Sequence, residues 1–265
     1  MIDPSKRECE GAFELDIVIP VYNEDRNILS ALHSLKKDIH TSFRVLICYD
    51  NDDDTTLPVV ARLPSDEFSI SLVKNSGRGP HSAVMAGFGV ATAPMVLVYM
   101  ADDDYNSAII DKMVQKVRQG CDVVVASRFM PGGEMKDCSS LIKELITRLG
   151  AFVVFHFAGV AVHDPTNAFR LFSRRVIKTI EIESTQGFTF SIELLVKALR
   201  LKWKVAEIPA LWIEREDKPS RFRVFAWLPH YLTWVFYALG TRWLKRGPST
   251  VAIKSHVAST DFLGT

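Results

Sequence analysis

The sequence predicts an α/β protein built on one mainly parallel sheet flanked by helices. Three observations carry that prediction. Short apolar runs alternate with helical patterns through the first half of the chain, which implies βαβ units. The run MVLVYM (95–100) is apolar without interruption, as a strand covered on both faces is. Three of the runs end in acidic clusters, and ligand sites in such sheets lie just outside the carboxyl ends of the strands.

The elements follow in order. LDIVIP (15–20) reads as a strand, with a helical pattern from about Glu24 to Lys37. RVLICYD (44–50) is a second strand, and Asp54 can cap the helix after it. SISLVKN (69–75) is a third. The glycine-bearing turn SGRGP opens a small-residue helix near 82–92. MVLVYM runs straight into ADDDYN, and a helix near 107–119 and the strand DVVVAS (122–127) close the regular series. The second half is less periodic: a long helical region over 138–161, a short strand around AFRLFS, a helix over 188–200, the strand VAEIP and an aromatic tail. From about Ser249 the chain reads as frayed.

With 265 residues, 48% hydrophobic and 24% charged, the chain is long enough for one large α/β domain. A formal net charge of +1 gives no basis for nucleic-acid binding, which normally carries a basic excess. Cys9, Cys48, Cys121 and Cys138 form no CxxC or Cys/His metal spacing, so reduced thiols in a cytoplasmic protein are expected. MIDPSKRECEGAFE has no apolar signal core, and no apolar run reaches the roughly 20 residues that span a bilayer. Two stretches approach membrane character, LGAFVVFHFAGVAV (149–162) and AWLPHYLTWVFYALGTRWLKRG (226–247). Aromatics beside Lys and Arg suit an interfacial helix; core or dimer helices are the alternative, and composition leaves both open.

The acidic clusters are the chemical signal. VIPVYNED places Tyr22 and Glu24 after the first strand, CYDNDDDTT places Asp50 after the second, and Asp102, Asp103 and Asp104 follow the fourth. Parallel strands bring these ends to one crevice. Alternation along an extended segment lets Asp102 and Asp104 point one way and Asp103 another. So much converging negative charge calls for a cation, and hard carboxylates suit Mg²⁺ or Mn²⁺. CYDNDDDTT is not a calcium loop: Thr55 stands at the required glycine and Ala61 at the terminal glutamate. Asp53 and Asp54 are expected to serve only as helix caps. SGRGP lacks the full Walker or dinucleotide pattern, so Gly77 and Gly79 are expected to shape a turn near a nucleotide.

DIVIPVYNE, the strand-two Asp50, the G-x-G turn, ADDDYN, ASRFMPGG, HDPTNAFR and GFTFSIELLVKALRLKWKVAEIPALWIER occur in an order that resembles a family 2 glycosyltransferase of the GT-A fold. Within that family the spacing is similar to the dolichyl- and polyprenyl-phosphate sugar transferases, over about residues 14–222. The resemblance implies a GT-A domain over 14–222 after an extension at 1–13, then aromatic amphipathic helices over 223–248 and a flexible tail over 249–265. It also implies an inverting enzyme that uses a nucleotide-diphosphate sugar and Mg²⁺ or Mn²⁺. Matched by position, Pro20, Tyr22 and Glu24 line the nucleoside, Asp50 contacts base or ribose with Gly79 nearby, and Asp102 and Asp104 are the metal acids, with Asp103 counted on the donor side. Asn106 falls where relatives place a Gln near the metal. Arg128, Arg170 and Arg221 match basic positions facing phosphates, which a guanidinium fork grips in pairs.

Tyr49, Asn51 and Lys218 depart from the family pattern and bear on base preference and loop geometry. Relatives that glycosylate hydroxyls often carry an ED pair followed by QxxRW; here there is no ED pair, and Leu239 stands at the Gln position of LGTRW. A lipid phosphate is already ionised and needs no base, so the pattern agrees with a polyprenyl-phosphate acceptor. Glu193 is the fallback base if the acceptor is a hydroxyl of a glycan or small molecule, and a non-catalytic nucleotide-sugar-binding subunit is a further alternative. The expected setting is cytoplasmic, with peripheral contact at the inner face of a membrane; homo-oligomerisation is left open.

Overall fold

The computed structural model describes residues 13–64, 66–136, 141–213 and 224–255. Its centre is a sheet of seven strands: β1 (Leu15–Pro20), β2 (Phe43–Tyr49), β3 (Ile70–Lys74), β4 (Met95–Val98), β5 (Val123–Ser127), β7 (Arg170–Ser173) and β8 (Val205–Pro209). Their order is β3-β2-β1-β4-β7-β5-β8. Every pairing is parallel except those of β7, which runs antiparallel between β4 and β5. The carboxyl ends of β1, β2, β4 and β5 therefore share one edge, with the reversal of strand order beside β1. A small second sheet pairs β6 (Glu134–Lys136) with β9 (Leu211–Ile213).

Why the strands read as unbroken apolar runs is plain from the two faces of the sheet. Val18, Leu46, Cys48, Val96 and Val98 point to one core, and Leu15, Ile17, Ile19, Val45, Ile47 and Leu97 to the other. The first core is covered by α3 (Gly79–Val90), α5 (Leu141–Phe157), α7 (Phe190–Arg200) and α8 (Val224–Trp243), the second by α1 (Ile28–Asp38) and α4 (Ile110–Arg118). Gly87 marks the closest approach of α3 to the sheet: a Cβ there would lie 2.5 Å from a methyl of Val18. Asp16, an acid wholly buried in β1, is held by Arg44 through two bonds of 2.9 and 3.0 Å and by the N–H groups of Thr92 and Ala93. It sits at the edge opposite the acidic clusters and serves the fold.

Short helices α2 (Thr56–Val60) and α6 (Arg174–Thr179) complete the set. The tail differs from expectation. Residues 249–255 do not fray: Val251 is buried, Ile253 bridges to Ile180, and Lys254 N–H donates to the Thr179 carbonyl at 2.9 Å. Among the described residues, the expected C-terminal helices are a single helix, α8. Arg221, Lys218, Cys9 and Cys138 lie outside the described residues, while Cys48 and Cys121 are free thiols, the former pushed up to about 12 by burial.

Candidate active site

The aspartate triplet begins just past β4. Asp103 is buried, Asp102 exposed and Asp104 half-buried, so the alternation read from the sequence holds at side-chain level. Asp103 turns into the protein, where it accepts hydrogen bonds from the Tyr99 hydroxyl, the N–H groups of Tyr105 and Asn106, and the Asn106 amide at 2.7 Å. Burial pushes its carboxyl up to about 6 against those donors. The expectation that Asp103 faces the donor is therefore corrected: it stiffens the loop that presents its neighbours.

Asn106 is corrected for the same reason. Its side chain is used at both ends, donating to Asp103 and to the Leu211 carbonyl at 2.8 Å and accepting from the Leu211 N–H at 3.0 Å. This clamps the triplet loop to β9 and leaves Asn106 no place beside a metal.

At the ends of β1 and β2, Asp54 precedes the N-cap of α2, Thr55, accepts the Thr56 N–H at 2.8 Å and also takes the N–H of Asn23. Asn23 has φ +55°, a left-handed conformation that Asn tolerates. Glu24 accepts from the Asn27 amide at 2.8 Å. A surface pocket of ≈ 270 Å³ opens here, lined by Tyr22, Asn23, Asn51, Asp53, Asp54 and Thr55. Tyr22 is 52% exposed, and Pro20 sits half-buried at the end of β1. Asp50 accepts from the Asn75 amide and from the Gly79 N–H at 2.8 Å. Gly79 has φ +84°, which suits glycine, and it starts α3, so the SGRGP turn is tied directly to the strand-two acid.

The arginines divide. Arg128, just past β5, grips Asp164 through its guanidinium at 2.6 and 2.9 Å and through its N–H at 3.1 Å. Burial pushes the Asp164 carboxyl up, but the Arg128 charge and hydrogen bonds, together with the Arg170 charge, outweigh it and hold the group below its ordinary value. Arg170 is wholly buried in β7 and donates to the carbonyls of Asn167, Ser191 and Asp164 at 2.7, 2.6 and 3.2 Å. Burial pulls it down to about 10, opposed by the Asp164 charge. A guanidinium spent on three carbonyls inside the sheet cannot face a phosphate, so that expectation for Arg170 is corrected.

Glu193 is corrected as well. It is wholly buried on α7, accepts the N–H groups of Glu183 and Ser184 at 2.7 and 2.9 Å and pairs with Lys197 at 2.6 Å. Lys197, also buried, reaches the Glu181 carbonyl and Glu183 and lies 5.1 Å from the Trp234 ring centroid. An acid locked in this cluster is not a base for a substrate.

Sequence reasoning passed over the partners in these clusters: Asn75, Tyr99, Asp164 and the Glu207–His163 pair. Asp164 and His163 lay inside the HDPTN motif already singled out; nothing local marks the others.

A parallel sheet whose carboxyl edge gathers Tyr22, Glu24, Asp50, Asp102 and Asp104 defines an α/β enzyme of the GT-A glycosyltransferase class. The family model described as glycosyl transferase family 2 matches residues 16–181. The chain belongs to that family and is a glycosyltransferase. It is 28% identical over 211 residues to polyprenol monophosphomannose synthase of Mycolicibacterium smegmatis, covering 76% of this chain and 77% of that one. It is 28% identical over 203 residues to dolichyl-phosphate hexose transferase of Haloferax volcanii (76% and 84%). To dolichol-phosphate mannosyltransferase of Pyrococcus furiosus it is 24% identical over 225 residues, which is 82% of this chain but 62% of that protein. Among solved structures, glucosyl-3-phosphoglycerate synthase of Mycobacterium tuberculosis, in complex with Mn²⁺, UDP and glucosyl-3-phosphoglycerate, superposes with a TM-score of 0.64 at 12% identity, covering 87% of this chain and 81% of that one. The same enzyme with Mg²⁺ and UDP gives 0.62 at 15% identity, covering 87% and 80%. These likenesses establish the shared fold.

Proposed function

We propose that this family 2 glycosyltransferase moves a sugar from a nucleotide-diphosphate sugar to a polyprenyl phosphate, with inversion, while peripherally attached to a membrane. The observation that carries this reading is an apolar face turned outward on two helices. On α5, Leu145, Leu149 and Phe152 are exposed at helical spacing, opposite the buried Ala151 and Val154. On α8, Leu232, Phe236 and Trp243 are exposed, opposite the buried Trp234, Ala238 and Thr241; Phe236 is 66% and Trp243 72% accessible. The two helices end together: the Trp243 indole donates to the Phe157 carbonyl at 3.1 Å. Arg242, Lys245 and Arg246 follow at that end. Exposed aromatics beside cations match an interfacial helix resting on anionic lipid, and no helix among the described residues is long and apolar enough to cross a membrane. The names of the three relatives, each a polyprenol- or dolichol-phosphate enzyme, support the same acceptor.

Asp102 and Asp104 fit Mg²⁺ or Mn²⁺. Among the described residues no group of three or more His, Cys, Asp or Glu could hold a metal, and such ions take one or two protein carboxylates and complete their shell with phosphate and water. When bound, the ion neutralises charge on the departing nucleotide. The chain's own residues do the rest of the work. Tyr22 offers a ring face to the base at the pocket mouth, and Asp50 and Gly79 shape the turn beside it. An ionised phosphate oxygen of the acceptor attacks the anomeric carbon, the bond to the nucleotide diphosphate breaks, and the pair leaves with that group. The burial of Glu193 counts against a hydroxyl acceptor served by that acid.

The test is thermal stability against UDP, GDP, CDP and dTDP with and without Mn²⁺, followed by transfer of labelled sugar to a polyprenyl phosphate. One nucleotide should stabilise in a metal-dependent way, by about 2.7 kcal/mol at a hundred times its Kd. Asp102→Asn and Asp104→Asn should each abolish that gain with the fold intact. Unchanged binding in both variants overturns the metal assignment; transfer to glycans but not to lipid phosphate overturns the acceptor.

A further inference from the structure

We propose that His163 binds the acceptor: a carboxylate-braced imidazole that shares one proton with a phosphate-monoester oxygen and holds the resulting dianion in place. This rests on the polyprenyl-phosphate reading above, which it deepens by assigning the acceptor a residue.

The HDPTN turn is fastened over the carboxyl end of β5. The Asn167 amide donates to the Ala126 carbonyl at 2.7 Å, and Asp164 takes both the N–H and the guanidinium of Arg128. β5 lies two strands from β4, with its carboxyl end on the edge that carries Asp102 and Asp104. At about 4.8 Å per strand the turn is on the order of 10 Å from the triplet, the reach of a sugar-diphosphate laid across the edge.

His163 is built into this turn. Glu207 on β8 accepts the N–H groups of His163 and Asp164 through one oxygen, at 2.8 and 3.3 Å, and bonds the imidazole Nδ1 through the other at 2.8 Å. Phe155 of α5 stacks on the ring, with centroids 4.7 Å apart and planes inclined by 33°. The ring is thus oriented from two sides, with Nε2 on the side away from Glu207. That nitrogen has no hydrogen-bond partner among the described residues, and the side chain is 42% exposed. The charged and titratable groups around it are Glu207 from β8, the mutually neutralising Asp164–Arg128 pair, the buried Arg170 behind Asp164, Tyr231 of α8, which acts on Asp164, Arg128 and Arg170, and His156 of α5 beside Phe155.

The local charge balance explains the need. An acceptor phosphate wants cationic donors, yet Arg170 is sealed in the sheet and the fork of Arg128 is engaged by Asp164. His163 precedes Asp164, which both arginines touch. It also lies under α5, whose outward stripe of Leu145, Leu149 and Phe152 suits a lipid tail, so a polyprenyl phosphate along that helix would bring its head group toward the ring. A phosphate monoester loses its second proton near pH 6, and an imidazole whose Nδ1 faces a carboxylate accepts a proton at Nε2. A monoanionic acceptor therefore passes its proton to Nε2. The dianion so formed attacks the anomeric carbon, and the imidazolium returns the proton to water after the phosphodiester product leaves.

The test compares the intact enzyme with His163→Gln, with farnesyl phosphate as acceptor, from pH 5.5 to 8. The acceptor KM of the variant at pH 6.5 should rise about tenfold or more, the loss expected for a hydrogen bond to a charged group, with the donor KM level and Tm preserved. An unchanged acceptor KM, or a loss confined to kcat, overturns the proposal. A second measurement stands apart from turnover: the His163 imidazole ¹⁵N resonances, assigned by their disappearance in the variant, should move on adding farnesyl phosphate. A matching response to inorganic phosphate would show that the head group alone suffices; no movement with either overturns the assignment. If the unaltered enzyme turns over no lipid phosphate while those resonances still move, the acceptor reading fails and His163 remains an anion ligand.

Discussion

Asp103 shows what a single buried carboxylate does to this protein. Its group titrates at about 6 in the fold against an ordinary 3.8, so between those values the native state keeps a proton that the unfolded chain has lost. Stability from this group is complete below the lower value and falls as pH rises through the higher one, by roughly 3 kcal/mol in all. Urea unfolding from pH 4 to pH 7 should show Asp103→Asn losing that slope relative to the unaltered protein; parallel profiles for the two would sink the assignment. The burial of Asp103 between two accessible neighbours matches the alternation expected of an extended segment, but its cause is a turn, in which the Asp103 N–H donates to the Met100 carbonyl at 3.2 Å. The fates of Asp103 and Asn106 were not legible in the sequence, because Asn106 is fixed by Leu211, 105 residues away. The same holds at Arg170, which looks like any motif arginine until β7 inserts it between β4 and β5.

Elements meet through a few buried ionic clasps. Arg128 and Asp164 join the end of β5 to the turn before β7, and the Asp164 side chain is wholly inaccessible. Removing one member strands the other's charge, which typically costs 3–5 kcal/mol. Asp164→Ala should therefore lose about that much in chemical denaturation, and Arg128→Ala combined with Asp164→Ala should recover part of it, giving a coupling energy between the two sites. A single-variant loss below about 1 kcal/mol would show that the clasp is not what holds the turn. Most elements were legible: β1, β2, β3, β5, β8, α1 and α7 fall within a few residues of where the periodicity put them. The two three-residue strands β6 and β9 were missed because neither has an apolar alternation to read; they exist only because each finds the other. The 249–255 segment was misread as frayed for a related reason, since its order comes from docking on Ile180 and Thr179.

At the scale of the molecule, the two exposed stripes of α5 and α8 converge where Trp243 meets Phe157. A surface of this kind should bind anionic vesicles and release them as salt rises. Co-sedimentation with phosphatidylglycerol vesicles should lose most of its bound fraction in a Leu149→Asp, Phe236→Asp double variant, with Tm unchanged because both side chains already face solvent. Equal sedimentation of the two proteins would remove the membrane from the reading. Composition left the aromatic tail open between an interfacial and a core helix, and it did not tell which face is outward, because apolar residues occur all round both helices.

By itself the sequence determined the class of fold, the strand ends at which chemistry would sit, and the family, since all three are written in local periodicity and in motif order. Tertiary structure decided how deeply each motif residue is buried. Asp102, Asp104 and Tyr22 keep accessible surface, whereas Asp103, Asn106, Arg170 and Glu193 are consumed by partners inside the protein. The physical reason is that a polar side chain's role depends on whether another group in the folded chain satisfies it, and those partners arrive from distant segments. Local sequence specifies a charge and its place along the chain; only packing settles whether that charge faces a neighbour or a substrate.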